Sequence, residues 1–102
     1  MKVAVLEHLA QGAMIGVEVG ENRIAICNVG GQLHAIDGSC PHRNGPLAEG
    51  ALHGSMVVCP WHAWEFDCTT GQNDRNPDIR QRQYAVKAEA GVILLDADSR
   101  QD

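Results

Sequence analysis

Two short segments of this chain each pair a thiol with an imidazole: Cys40-Pro41-His42 and, further along, Cys59-Pro60-Trp61-His62. Each follows a strand-like apolar run and opens a stretch rich in glycine or proline. If both pairs serve one centre, the fold must bring two loops from different strand ends together. That is a demanding constraint on a chain of 102 residues, a length that reads as one domain over 1–102.

The remaining pattern supplies strands. Met14 to Val19 alternates, as does Ile24 to Val29, and Leu33 to Ile36 resumes after Gly30-Gly31. Two apolar runs around such a pair predict a hairpin. Met56 to Cys59 and Trp64 to Phe66 are short apolar runs. Tyr84 to Ala88 and Val92 to Leu95 flank Ala90-Gly91 as a last hairpin, and Val3 to Leu6 is a candidate first strand. Asp37 to Pro46 and Gly71 to Arg82 read as loops, and the polar tail Ala97 to Asp102 is expected to fray. No long helical period occurs. The expected class is all-β, an antiparallel sandwich or barrel.

A chain this short has a thin core. Two Trp, one Tyr and one Phe are all the aromatic residues it has to fill it. A bound metal centre would be a natural staple. The net charge of −5 argues against nucleic-acid binding and suggests docking to a basic face on another protein. No leader pattern or membrane-length apolar run is present, so the expected setting is cytoplasmic, with no membrane partner. There, four cysteines point to metal binding before disulfides.

The spacing narrows the metal. Two-iron, two-sulfide clusters take thiolate ligands, and in one class two histidines replace two cysteines on one iron. A single zinc ion also accepts Cys and His. Zinc sites usually leave two or more residues between paired ligands, whereas one separates Cys40 from His42. In an extended segment, residues two apart project from the same side with Cα atoms roughly 6–7 Å apart. Such a pair suits two neighbouring irons better than one ion, though a zinc site, and with it a redox-silent module, stays open at this point.

The stretch CPHRNGPLAEG…VVCPWHAWEFDCTTG resembles the cluster-binding segment of Rieske [2Fe–2S] proteins, a C-x-H followed by a C-x-x-H. The likeness is specific from Cys40 to Gly71; Asn76-Pro77 lies where such proteins often carry a proline loop. It implies a small antiparallel β-sandwich of the Rieske kind, with two loops at one tip forming a cluster-binding subdomain over 37–71. It implies one [2Fe–2S] cluster per chain, with Cys40 and Cys59 on the inner iron and His42 and His62 on the outer one. Two thiolates and two neutral imidazoles leave the oxidised centre without net charge, which raises its potential above that of four-thiolate clusters.

Within the family, respiratory members carry one more cysteine in each loop, joined as a disulfide; the matching positions here are Gly45 and Trp61. They also carry a serine and a tyrosine whose hydroxyls reach the cluster sulfurs; here those positions are Trp64 and Phe66. The resemblance therefore implies the low end of the Rieske range, about −150 mV. The implied role is a one-electron carrier, not itself an enzyme. Its donor would be an NAD(P)H-dependent flavoprotein reductase, since no nucleotide-binding glycine motif is present. Its acceptor would be a terminal oxygenase, as in ring-hydroxylating dioxygenase systems, or the large subunit of NADH-dependent nitrite reductase. A free carrier would be a monomer.

The other notable residues have plainer readings. Cys27 and Cys68 are expected as buried free thiols, with a redox pair or disulfide as the rival. His8, His34 and His53 read as structural or surface residues. Trp64 is expected to cover the site; Trp61 serves equally as cover or as docking surface. Arg43 could steer a partner. Pro41, Pro46, Pro60 and Pro77 stiffen the loops.

Overall fold

A computed structural model describes residues 2–40, 45–61, 64–76 and 78–101. Among them the chain forms β1 (Lys2–Val5), β2 (Met14–Val19), β3 (Asn22–Val29), β4 (Gln32–Asp37), β5 (Ala51–His53), β6 (Met56–Val58), β7 (Glu65–Asp67), β8 (Gln83–Glu89) and β9 (Val92–Gln101). Two single 3-10 turns occur, Leu6–His8 and Leu47–Glu49. The strands make a six-stranded sheet, β1-β9-β8-β4-β3-β2, and a three-stranded one, β5-β6-β7. Every strand pairing is antiparallel, as the sequence predicts.

Local chemistry sets the hairpins. Val29 pairs with Gln32 across Gly30-Gly31, whose φ angles are +61° and +95°. A two-residue turn that matches strand twist needs this left-handed conformation, which costs glycine nothing. The β8–β9 turn places Ala90 at φ +53° before Gly91.

β3 departs from the expected alternation. Ile24 to Asn28 are buried without a break. The two faces of β3 serve two different cores. Ile24 and Ile26 join Leu9, Ala35, Tyr84, Ile93 and Leu95 in one cluster. Ala25 and Cys27 face the other, with Ile36, Leu47, Val57, Phe66, Cys40, Cys59 and Cys68. A strand covered on both sides reads as a continuous apolar run.

The tail corrects a second expectation. β9 continues to Gln101, paired with Gln83 beyond a shift in register. Polar side chains do not interrupt a ladder made by the backbone, so their polarity gave no warning. β5 was hidden for a similar reason: it is three residues long, with only Leu52 half-buried.

Candidate metal centre

The first loop leaves β4 at Asp37. Asp37 Oδ1 accepts the Ser39 N–H at 3.2 Å, turning the chain toward Cys40. The Cys40 N–H donates to the Gly45 carbonyl at 2.8 Å, and Ser39 bridges Pro46. The second loop leaves β6. There the Cys59 N–H donates to the Trp64 carbonyl at 2.7 Å. Each cysteine thus closes its loop onto the carbonyl five residues later, Gly45 from Cys40 and Trp64 from Cys59. The two loops are anchored alike.

The two thiols lie in one apolar cluster, Cys40 0 % and Cys59 1 % exposed. Gly45 joins the loops. A Cβ built there would meet Cys59 Sγ at 2.7 Å and the Trp61 ring at 3.4 Å. The positions that the resemblance assigns to a cross-loop disulfide are therefore neighbours here, with the indole occupying the space over Gly45. The Trp61 N–H donates to Cys59 Sγ at 3.4 Å, a long contact suited to a diffuse sulfur acceptor. Trp64 packs on the same cluster, its ring 6.4 Å from that of Phe66. Phe66 is fully buried, and the chain's one tyrosine, Tyr84, sits in the other core.

His42 and His62 lie outside the described residues, as do Pro41, Arg43 and Pro77. Among the described residues no three His, Cys, Asp or Glu side chains gather as a single-ion site. His8 and His53 are exposed, and His34 is half-buried opposite Cys27. Two buried thiols, presented by matching loops that each carry a histidine, fit a two-iron cluster with mixed ligands.

Gln81 was not visible in the sequence as part of this site. It is 6 % exposed, and its amide donates to the carbonyls of Asp37 and Ser39 at 2.9 and 2.6 Å. It holds the segment that delivers Cys40. Asn73 acts similarly beyond β7. Its Oδ1 accepts the N–H of Arg75 and of Asn76, both at 3.0 Å, and its Nδ2 donates to the Glu65 carbonyl at 3.2 Å.

Trp61 is 48 % exposed, the one large apolar side chain so exposed among the described residues. With Pro46, Ala48, Glu49, Glu18 and Arg23 it lines a groove of about 620 Å³. Cys27 and Cys68 are free and fully buried, as expected. No helix of the described residues is long and apolar enough to cross a membrane.

The chain is 35% identical over 91 residues to the ferredoxin component of biphenyl 2,3-dioxygenase from Rhodococcus jostii (strain RHA1), covering 88% of this chain and 85% of that protein. It is 38% identical over 86 residues to the 4beta-methylsterol monooxygenase of Methylococcus capsulatus (strain ATCC 33009 / NCIMB 11132 / Bath). That match takes in 74% of this chain but spans only 23% of the monooxygenase. The fold superposes, with a TM-score of 0.89 and 26% identity, on a chain in the complex of reduced oxygenase and oxidised ferredoxin of carbazole 1,9a-dioxygenase, covering 100% of this chain and 96% of that one. The Rieske [2Fe-2S] domain model matches residues 1–89, well beyond the two loops, and the chain belongs to that family.

Proposed function

We propose that this protein is a one-electron carrier. Its one [2Fe–2S] cluster is bound by Cys40, His42, Cys59 and His62, within a cluster-binding subdomain over 37–71. The observation that carries this reading is the matched pair of loops, each closing on its own buried cysteine and joined through Gly45. When bound, the cluster supplies reversible one-electron chemistry.

The chain's own residues hold and bias that site. Cys40 and Cys59 present thiolates away from water. The Trp61 N–H partly offsets the charge on Cys59 Sγ. Gln81 fixes the approach to Cys40, so that the loop is set before any electron arrives. Gly45 and Trp61 take the disulfide positions, and Trp64 and Phe66 offer no hydroxyl to the sulfurs. Fewer donors stabilise the reduced state less, which favours a potential near about −150 mV.

The donor is an NAD(P)H-dependent flavoprotein reductase and the acceptor a terminal oxygenase. The dioxygenase ferredoxin component and the oxygenase–ferredoxin complex among the relatives support the acceptor, and the lack of a nucleotide-binding glycine motif in this sequence is what calls for a separate donor. The protein works in the cytoplasm, as a monomer when free, and the catalytic step belongs to its acceptor.

The test is reconstitution. Purified protein should show an axial-to-rhombic Rieske EPR signal on reduction and should pass electrons from an added flavoprotein reductase to an added oxygenase. Replacing His42 or His62 should abolish both. An unchanged signal after either replacement would overturn the ligand assignment. A colourless protein holding zinc without iron or labile sulfide would overturn the redox reading, and co-purification with a nitrite reductase large subunit would overturn the free carrier.

A further inference from the structure

Two more cysteines sit outside the proposed ligand set. Cys27 lies on β3, an inner strand next to the β2 edge of the six-stranded sheet. Cys68 follows the last residue of β7, in the three-stranded sheet. Both are 0 % exposed and both belong to the apolar cluster between the sheets. Their side chains meet, with the Cys27 thiol donating a hydrogen bond to the Cys68 sulfur. The chain between them, residues 28–67, carries Cys40, His42, Cys59 and His62.

We propose that Cys27 and Cys68 form a redox-active dithiol that hydrogen peroxide closes into a disulfide, cross-linking the two sheets at the base of the segment that carries the four proposed cluster ligands.

The two thiols are not equivalent. The hydrogen bond from Cys27 lowers the Cys68 pKa, against burial and the neighbouring Asp67 carboxylate. The same bond, with burial, pushes the Cys27 thiol far up. Cys68 stands just past the end of a strand and Cys27 within one, so Cys68 is the nucleophile and Cys27 the resolving thiol, a pairing that redox-sensing cysteines often use. Full burial ordinarily makes a thiol inert. Cys68, however, begins a tight turn whose next residues, Thr69 and Thr70, are exposed. Peroxide would reach Cys68 by way of that turn.

The chemistry balances in two steps. The Cys68 thiolate attacks one peroxide oxygen, the O–O bond breaks, and the departing hydroxide takes up the thiol proton as water. The Cys68 sulfenic acid is then attacked by Cys27. An S–S bond forms, the S–O bond breaks, and hydroxide leaves with the Cys27 proton as a second water. Two thiols are oxidised by two electrons and one peroxide is reduced. The cluster takes no part, so the proposal stands apart from the electron-carrier reading.

The test is a peptide map of the cluster-loaded protein after peroxide treatment and alkylation of the remaining thiols. Cleavage on the amino side of Asp37, Asp67 and Asp74 separates Cys27, in residues 1–36, from Cys68, in residues 67–73. Cys40 and Cys59 stay together in residues 37–66. The expected result is a linked pair, 1–36 with 67–73, lighter than the two peptides by two hydrogens, with iron retained. In Cys27→Ser the link should vanish and a dimedone adduct should appear on Cys68. Both thiols alkylated in protein that keeps its iron would overturn the proposal. So would a link that appears only in protein whose iron has gone and whose Cys40 and Cys59 have paired.

Discussion

Gly45 and Cys59 are in van der Waals contact across two loops, and a Cβ on Gly45 would stand 2.7 Å from Cys59 Sγ. Gly45 also accepts the Cys40 N–H through its carbonyl. One residue without a side chain therefore sets both cysteines. Real Cβ atoms do not approach sulfur this closely, and both Gly45 and Cys59 are held by backbone hydrogen bonds. Gly45→Ala should push Cys59 Sγ out of line and cost about 1–3 kcal/mol in strain, as overpacking does elsewhere. Iron per chain should fall to less than half while the far-UV spectrum keeps its β character. Full iron content with an unchanged visible spectrum would show that the contact is not limiting.

The sequence made the two cysteines legible and left their support invisible, for physical reasons. Ligand chemistry is local: a thiol and an imidazole one or two residues apart are visible in one dimension. The hairpins at Gly30-Gly31 and Ala90-Gly91 are local too, since turn geometry depends on the turn residues. Gly45 could be read only as the absence of a disulfide partner, because its contact with Cys59 depends on how two loops meet. Gln81 was less accessible still, since it acts on carbonyls 42 and 44 residues away. The strand β3 was found, but its second buried face was not. That face is covered by the three-stranded sheet, whose first strand is too short to show a period.

Gln81 carries the next expectation. Its buried amide satisfies the Asp37 and Ser39 carbonyls just before Cys40. Gln81→Leu would leave both acceptors without that donor, at a cost of about 1–3 kcal/mol. Gln81→Glu should be worse at neutral pH, because a carboxylate would face two carbonyl oxygens. In both variants iron should pass to a chelator faster than from the parent, with Glu the faster at pH 7. Equal rates in all three proteins would remove Gln81 from the support of this loop.

Asp67 gives a pH dependence. Burial raises its pKa, but hydrogen bonds from the Thr69 hydroxyl and N–H and from Ser55, with His34 nearby, outweigh this and hold it below the usual value. The two Thr69 contacts are 2.7 and 2.9 Å. A carboxyl with a depressed folded pKa stabilises the fold above its unfolded pKa of about 3.9, and that contribution is lost as pH falls through the folded value. Asp67→Asn should therefore be less stable than the parent at pH 7, by under about 1 kcal/mol for a group only partly withdrawn from solvent. The gap should close as pH falls through the depressed folded-state value of Asp67. Urea unfolding of both proteins across this range checks the sign; a gap that widens in acid would contradict it.

Trp61 separates cover from docking. Its backbone N–H serves Cys59, but its ring is 48 % exposed and faces a groove lined by Glu18, Glu49 and Arg23. Substitution of the side chain leaves the backbone donor in place. If the ring were mainly cover, Trp61→Ala would admit water to Cys59 and shift the midpoint potential. If it is a docking anchor, the potential should hold and the acceptor should bind less tightly. An aromatic anchor of this kind is worth about 1–2 kcal/mol, or roughly a 5–30-fold rise in apparent KM for the carrier in reconstituted turnover. Trp61→Phe should recover part of the loss, and added salt should weaken docking through the groove's carboxylates. The exposure of the ring favours the second outcome, and a changed potential at constant KM would decide for the first.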